Sequence, residues 1–176
     1  MFDQYVIRAL RNEDNPEQLT ELIHAAYAPQ AAAGLRYWAT HQSIEDTKKR
    51  FASGHGFVAT SDHAYIGTIT ARPPQPDSPV ELYRDPCTWS ICQFAVAPLM
   101  KRRGVGRALH SAAVRFAMAQ GARRLALDTA TGAESLIRLY QDWGYTKVGL
   151  CDWRPHTNYV SVLMCLELHP LHPPDS

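Results

Sequence analysis

Phe94-Ala-Val-Ala-Pro-Leu-Met-Lys-Arg-Arg-Gly-Val-Gly-Arg107 runs from apolar residues through a proline into a basic turn with two glycines one residue apart. Upstream, Thr88 to Ala97 is mostly apolar and stops at Pro98, which predicts a buried strand. Downstream, Val105, Ala108, Leu109, Ala112, Phe116 and Ala119 recur at three- and four-residue steps, which predicts a helix from about Gly104 to Gln120 with one apolar face. The first amides of such a helix have no intrahelical partners, and the helix dipole adds partial positive charge beside them. A turn of this kind suits an anion held by backbone N–H groups, with Lys101, Arg102, Arg103 and Arg107 supplying charge around it. It is not a P-loop, because no Gly-Lys-Ser/Thr follows, and Leu109 breaks the G-x-G-x-x-G dinucleotide fingerprint.

On the N-terminal side, Tyr5 to Leu10 reads as a strand. The following Asn-Glu-Asp-Asn-Pro cluster supplies a cap and a first-turn proline for a helix through about Tyr27, with a break between Pro29 and Gly34. Ser43 caps a second helix to Phe51 whose acids lie early and bases late, as the dipole favours. Strands Gly56 to Thr60 and Ala64 to Ala71 flank the turn Ser61-Asp62-His63, and the proline-rich run 72–79 is a loop. On the C-terminal side come a strand from Arg124 to Asp128, a helix from about Ala133 to Trp143 stopped by Gly144, and strands at Tyr145 to Asp152 and Tyr159 to Leu168. The order is β-α-α-β-β-β-α-β-α-β-β. No repeat or long linker divides it, so residues 1–168 are expected to form one domain and 169–176 a flexible tail.

The 176 residues suffice for one core, since a chain of this size buries roughly 70% of its unfolded surface. A net charge of +1 and the lack of a nucleic-acid motif argue against a nucleic-acid partner. No run is long and apolar enough for a membrane span, and the N-terminus does not read as a signal peptide. The four cysteines, without C-x-x-C spacing, read as reduced thiols, so a cytoplasmic setting is expected. The eight histidines show neither H-x-x-x-H nor H-E-x-x-H spacing, and no metal site is expected.

Lys101 to Gly106, following a strand that ends Val-x-Pro, resembles the Q/R-x-x-G-x-G/A signature of the GNAT superfamily of N-acetyltransferases. Ala126 to Tyr145 resembles that family's second block, a helix ending Leu-Tyr-x-x-x-Gly-Phe/Tyr, through Leu139, Tyr140, Gly144 and Tyr145. The resemblance implies an α/β (α+β) fold: a central mixed, mostly antiparallel sheet with a splayed parallel strand pair and helices on both faces. It implies acetyl-coenzyme A as co-substrate and an amine, on a small molecule or a peptide, as acceptor. The coenzyme would lie along Phe94, Ala95 and Val96, with its pyrophosphate on Arg102, Arg103, Gly104, Val105, Gly106 and Arg107. Tyr140 would sit by the sulfur and protonate the departing thiolate, as a phenol with an ordinary pKa of about 10 can.

Two positions depart from the family pattern. Lys101 stands where glutamine or arginine is usual; it keeps the charge and loses the planar fork. Ala133 stands where asparagine often holds the coenzyme, with Ser135 or Thr131 as substitutes. These departures leave open a coenzyme-binding module without turnover. Asp128 is the candidate general base, against the alternative of an aspartate that ends its strand and caps the loop; Glu81 and His156 are weaker candidates. Gln93 is either an acceptor contact or a polar strand residue. Tyr37, Trp38, Tyr83 and Trp153 are expected mostly to pack the core, with an aromatic acceptor pocket as the alternative. Glu81 and Asp85 offer charge to a cationic substrate. Dimerisation is left open.

Overall fold

The computed structural model describes residues 4–169; the expected C-terminal tail beyond His169 lies outside the described residues. Seven strands form one sheet: β1 (Val6–Ala9), β2 (His55–Ser61), β3 (Ala64–Arg72), β4 (Thr88–Val96), β5 (Arg124–Ala130), β6 (Thr146–Asp152) and β7 (Val160–Glu167). Their spatial order is β1-β2-β3-β4-β5-β7-β6, and every neighbouring pair is antiparallel except β4 with β5. The helices are α1 (Pro16–Ala32), α2 (Ile44–Ala52), the single turn α3 (Glu81–Arg84), α4 (Val105–Ala119) and α5 (Glu134–Asp142). This is the mixed, mostly antiparallel architecture expected from the sequence. No helix among the described residues is long and apolar enough to cross a membrane.

Alternation along the strands sends neighbouring residues to opposite faces. Ala59, Ile69, Leu125 and Leu127 meet Val105, Leu109 and Ala113 of α4 and Ile137 of α5 in the larger core. Val58, Ala95, Ala126 and Ala130 face the other way, toward α1, α2 and α3. Gly67 lets α4 lie close on the sheet, because a Cβ there would come within 2.8 Å of Leu109 Cδ1. Leu109 and Val105 are fully buried by this approach, worth roughly 1.5–3 kcal/mol each.

The local signals act as expected at both caps. Asn15 Oδ1 accepts from the amides of Glu17 and Gln18, and Ser43 forms a reciprocal capping box with Asp46. Two details differ from the sequence expectation. Helix α1 continues past Tyr27, through Pro29, to Ala32. Proline removes one helical bond near the end of a helix whose Leu19, Leu22, Ile23 and Ala26 are buried, and that packing outweighs the lost bond. The loop after Arg72 contains the one-turn helix α3, held because Tyr83 is buried against Ala126 and Leu163.

The parallel pair positions the site. Strand β4 pairs with β5 only at Thr88–Arg124, Trp89–Leu125 and Ser90–Ala126, whereas β5 stays paired with β7 to Ala130. Beyond Ser90, β4 bends: Gln93 and Phe94 together oppose Ile69, and Gln93 has φ +50°. A bulge of this kind kinks its strand and raises the local twist, which carries β4 away from β5 and opens a wedge.

Candidate active site

Two cavities meet in that wedge. The first, about 540 Å³, lies between β4, the turn before α4, and α5. The second, about 420 Å³, lies on the α1 and α2 side of the sheet. Tyr27, Phe94, Leu136 and Tyr140 line both, so these four residues form the seam between the two spaces.

The first cavity gathers most of the residues expected to hold the coenzyme: Phe94, Ala95, Val96, Arg102, Gly104, Gly106 and Arg107, together with Lys101. Arg103 and Val105 do not line it. The Val105 side chain is fully buried beneath α4, so only its backbone faces the turn. Helix α4 begins after Gly104, whose φ of +82° suits glycine and which provides no side-chain cap. The first intrahelical bond runs from Ala108 N to Gly104 O, which leaves the amides of Val105, Gly106 and Arg107 ahead of the helical ladder. Arg107 lies with its guanidinium carbon 5.3 Å from the Trp143 ring centre, at the rim of the same cavity.

Strand geometry separates the roles of Phe94, Ala95 and Val96. Ala97 N donates to Ile66 O on β3, so the two-residue alternation turns the Ala95 peptide toward β3 and those of Phe94 and Val96 toward the open edge. Phe94 O there accepts from Tyr27 Oη at 3.0 Å. Ala95 contributes a side chain packed among Ile23, Ala26 and Ala130. Of the two substitutes for asparagine at position 133, Ser135 lines the cavity and Thr131 does not. The buried Gln30 Oε1, in the same wall, is an acceptor without a donor. An anion cradle, an open strand edge and an apolar channel with a spare amide acceptor fit a pyrophosphate joined to an amide-bearing arm.

Tyr140 is buried on α5, and its hydroxyl has no hydrogen-bond partner among the described residues. Burial, with Tyr27 and Tyr145 nearby, pushes its pKa well above 10, so the phenol stays protonated at neutral pH. Asp128 does not cap its loop. Its Oδ1 accepts from Tyr83 Oη at 2.6 Å and its Oδ2 from Trp153 Nε1 at 2.9 Å, in the wall of the second cavity. His156 lines that cavity too, with its ring 5.1 Å from Trp38, whereas Glu81 does not. Asp85 is engaged with Arg124 at 3.0 Å and is also away from it.

Tyr37, Trp38, Tyr83 and Trp153 all border the second cavity, and Tyr37 and Tyr83 are buried as well, so packing and pocket lining coincide. Gln93 borders it while its amide bonds to Gln42 Nε2 at 2.7 Å and Thr47 O at 3.2 Å. Tyr27, Leu136, Arg50 and Arg72 were not among the residues singled out from sequence. They stand in the site because α1, α5, α2 and β3 converge there; Leu136 lies within the 126–145 block but not at a position that carried the resemblance, and no motif contains the other three.

The comparisons with known proteins agree with this geometry. Residues 10–145 match the acetyltransferase (GNAT) family. The chain is 30% identical over 142 residues to the S-(2-succino)cysteine N-acetyltransferase of Bacillus subtilis, covering 80% of this chain and 84% of that one. Among solved structures, it resembles an acetyltransferase from Streptococcus agalactiae (TM-score 0.69, 18% identity, 93% and 98% covered). It also resembles a GNAT family acetyltransferase from Elizabethkingia anophelis with acetyl-CoA bound (TM-score 0.67, 18% identity, 94% and 99% covered). A helix start with amides ahead of its ladder, a splayed strand pair and a family match over most of the chain converge on one conclusion: this enzyme is an acyltransferase and belongs to the GNAT acetyltransferase family.

Proposed function

We propose that the enzyme moves the acetyl group of acetyl-coenzyme A to a primary amine by direct attack within a ternary complex. The observation that carries this reading is the seam: a cavity ending on a helix N-terminus meets a second cavity at Tyr140. The coenzyme's pyrophosphate would rest on the amides of Val105, Gly106 and Arg107, with Lys101, Arg102 and Arg107 around it, and its arm along Phe94 and Val96. Acetyl-coenzyme A supplies the activated acyl group. The relative from Bacillus subtilis is named for acetylating the nitrogen of a cysteine derivative, which accords with an amine acceptor.

The protein's own part is positioning and proton transfer. In the second cavity the incoming ammonium meets Asp128, whose oxygens are oriented by Tyr83 and Trp153. The ammonium gives up a proton to Asp128 or to water, its nitrogen bonds to the acetyl carbon, and the carbon–sulfur bond breaks. Tyr140, kept neutral by burial, passes its proton to the departing sulfur, and the second proton lost by the acylated nitrogen returns through water to the Tyr140 oxygen. Cys92 is the thiol in the second cavity that a covalent relay would use; burial raises its pKa and makes it a poor nucleophile, which favours direct attack. The reduced cysteines and the coenzyme requirement suit a cytoplasmic enzyme.

Calorimetric titration with acetyl-coenzyme A, followed by thiol release across an amine panel and intact-mass analysis, tests this. Expected are binding at micromolar concentration, amine-dependent thiol release and no acetylated protein. Absence of binding would refute it, and binding without turnover would favour a coenzyme-sensing module.

A further inference from the structure

The acceptor side has a charge pattern of its own. The second cavity is lined by one carboxylate, Asp128, and two guanidiniums, those of Arg50 and Arg72. Among the described residues neither arginine has an ion-pair partner. Arg50 is propped from behind, donating from Nη1 to the buried Gln42 Oε1 at 2.6 Å. Arg72 Nε is buried with no acceptor, and so is the indole Nε1 of Trp38, which borders the same cavity. A buried donor left unsatisfied costs about 1–3 kcal/mol, and more when it is charged. Two such donors and a second guanidinium lining one cavity are complementary to an anionic oxygen ligand.

Sheet register sets where the opposite charges stand. Arg72 pairs with Ser90 and Ser90 with Ala126, one row across β3, β4 and β5. Asp128 is two residues beyond Ala126 and therefore on the same face. Two interstrand steps separate Arg72 from β5, roughly 10 Å between backbones, and the guanidinium reaches part of that way. One small molecule with an ammonium and a carboxylate can meet both ends.

Resting on the acetyl-transfer reading above, we infer that the acceptor is a carboxylate-bearing amine of amino-acid type. Its ammonium lies at Asp128 near the Tyr140 seam, and its carboxylate is taken by Arg72, with Trp38 Nε1 and Arg50 alongside. A peptide N-terminus or a polyamine has no carboxylate for these donors and is disfavoured, because it would leave them buried and unpaired.

The test uses matched trios: amino acids, their carboxamides and their decarboxylated amines, with aminoalkyl phosphates beside them, all assayed by thiol release. The carboxylates should be preferred by at least about tenfold in kcat/KM, as one charge-assisted hydrogen bond provides. In Arg72→Met that preference should collapse toward unity, while titration with acetyl-coenzyme A shows the coenzyme site intact; Arg72→Lys should recover only part of it. Equal rates for carboxylates and decarboxylated amines, or a preference for phosphates, would overturn the inference and leave acetyl transfer standing. If no amine of any class releases thiol, acetyl transfer falls, and the carboxylate site is judged by fluorescence of Trp38 and Trp153 as the amino acids are titrated. A response in the wild type that Arg72→Met loses supports the site, and no response from the wild type overturns it.

Discussion

Tyr27 on α1 donates its hydroxyl proton to the carbonyl of Phe94 at 3.0 Å, on the edge of β4 that β5 has left. Across the wedge, Tyr37 Oη accepts from Ala130 N at 3.2 Å, and the two tyrosine rings are 5.4 Å apart. Each lip of the opened sheet is thus fastened by a tyrosine from the helical layer. Removing one fastening in Tyr27→Phe should cost about 1 kcal/mol in urea denaturation and raise the KM for acetyl-coenzyme A severalfold, because Phe94 lines both cavities. An unchanged KM would show that the bulge alone sets the edge.

Tyr140→Phe removes the buried phenol and little else, since its hydroxyl has no partner among the described residues. On the proposed role of Tyr140 as proton donor, kcat should fall about 100-fold, within the usual range for general acid catalysis, while affinity for acetyl-coenzyme A changes little. Steady-state thiol release and calorimetry separate these effects; a loss confined to KM would assign Tyr140 to positioning.

At Gly104, φ is +82°. Gly104→Ala places a Cβ in left-handed backbone, costing about 1–2 kcal/mol, and any relaxation shifts the amides that begin α4. Affinity for coenzyme A should fall roughly tenfold, the equivalent of 1.4 kcal/mol, with denaturation following the strain. Retained affinity with lowered stability would separate the turn from phosphate binding.

Stability should depend on pH through His110. Its ring is buried with Nε2 2.8 Å from Tyr145 Oη, and burial, reinforced by Arg107, lowers its pKa to about 4. The unfolded chain, with an ordinary histidine near 6.5, binds the extra proton first as pH falls. Stability is therefore lost between about pH 6.5 and 4, by an amount on the order of 3 kcal/mol, and is flat above. His110→Gln should flatten that part of the urea-denaturation profile, whatever it costs at pH 7. An unaltered slope would place the titration elsewhere.

Much of the first cavity was legible in the chain because its parts are contiguous. Strand, proline stop, basic turn, glycine and helix occur within residues 94–107, and that contiguous stretch lines one end of the first cavity. Tyr140 was legible for the same reason, sitting one turn before its glycine stop. The acceptor side was not. Its residues come from segments far apart in sequence: Asp128 stood out as a candidate base only through the family resemblance, Tyr37 and Trp153 only as an alternative to core packing, and Arg50 and Arg72 not at all. Asp128 shows the difference: the sequence left a candidate base and a loop cap open for it, and packing brings Tyr83 and Trp153 to donate to its two oxygens.

Local chemistry in the chain alone was enough to set the order of the strands and longer helices, the caps and the helix start beside the basic turn, and the motif resemblance pointed to the family. Three-dimensional packing settled how far β4 and β5 part, that α1 runs through Pro29, and which charges share a cavity. The physical reason is range: caps, periodicity and turn conformation act between residues a few positions apart, whereas a bulge that splits two strands and a pocket lined from seven elements exist only once the sheet has closed.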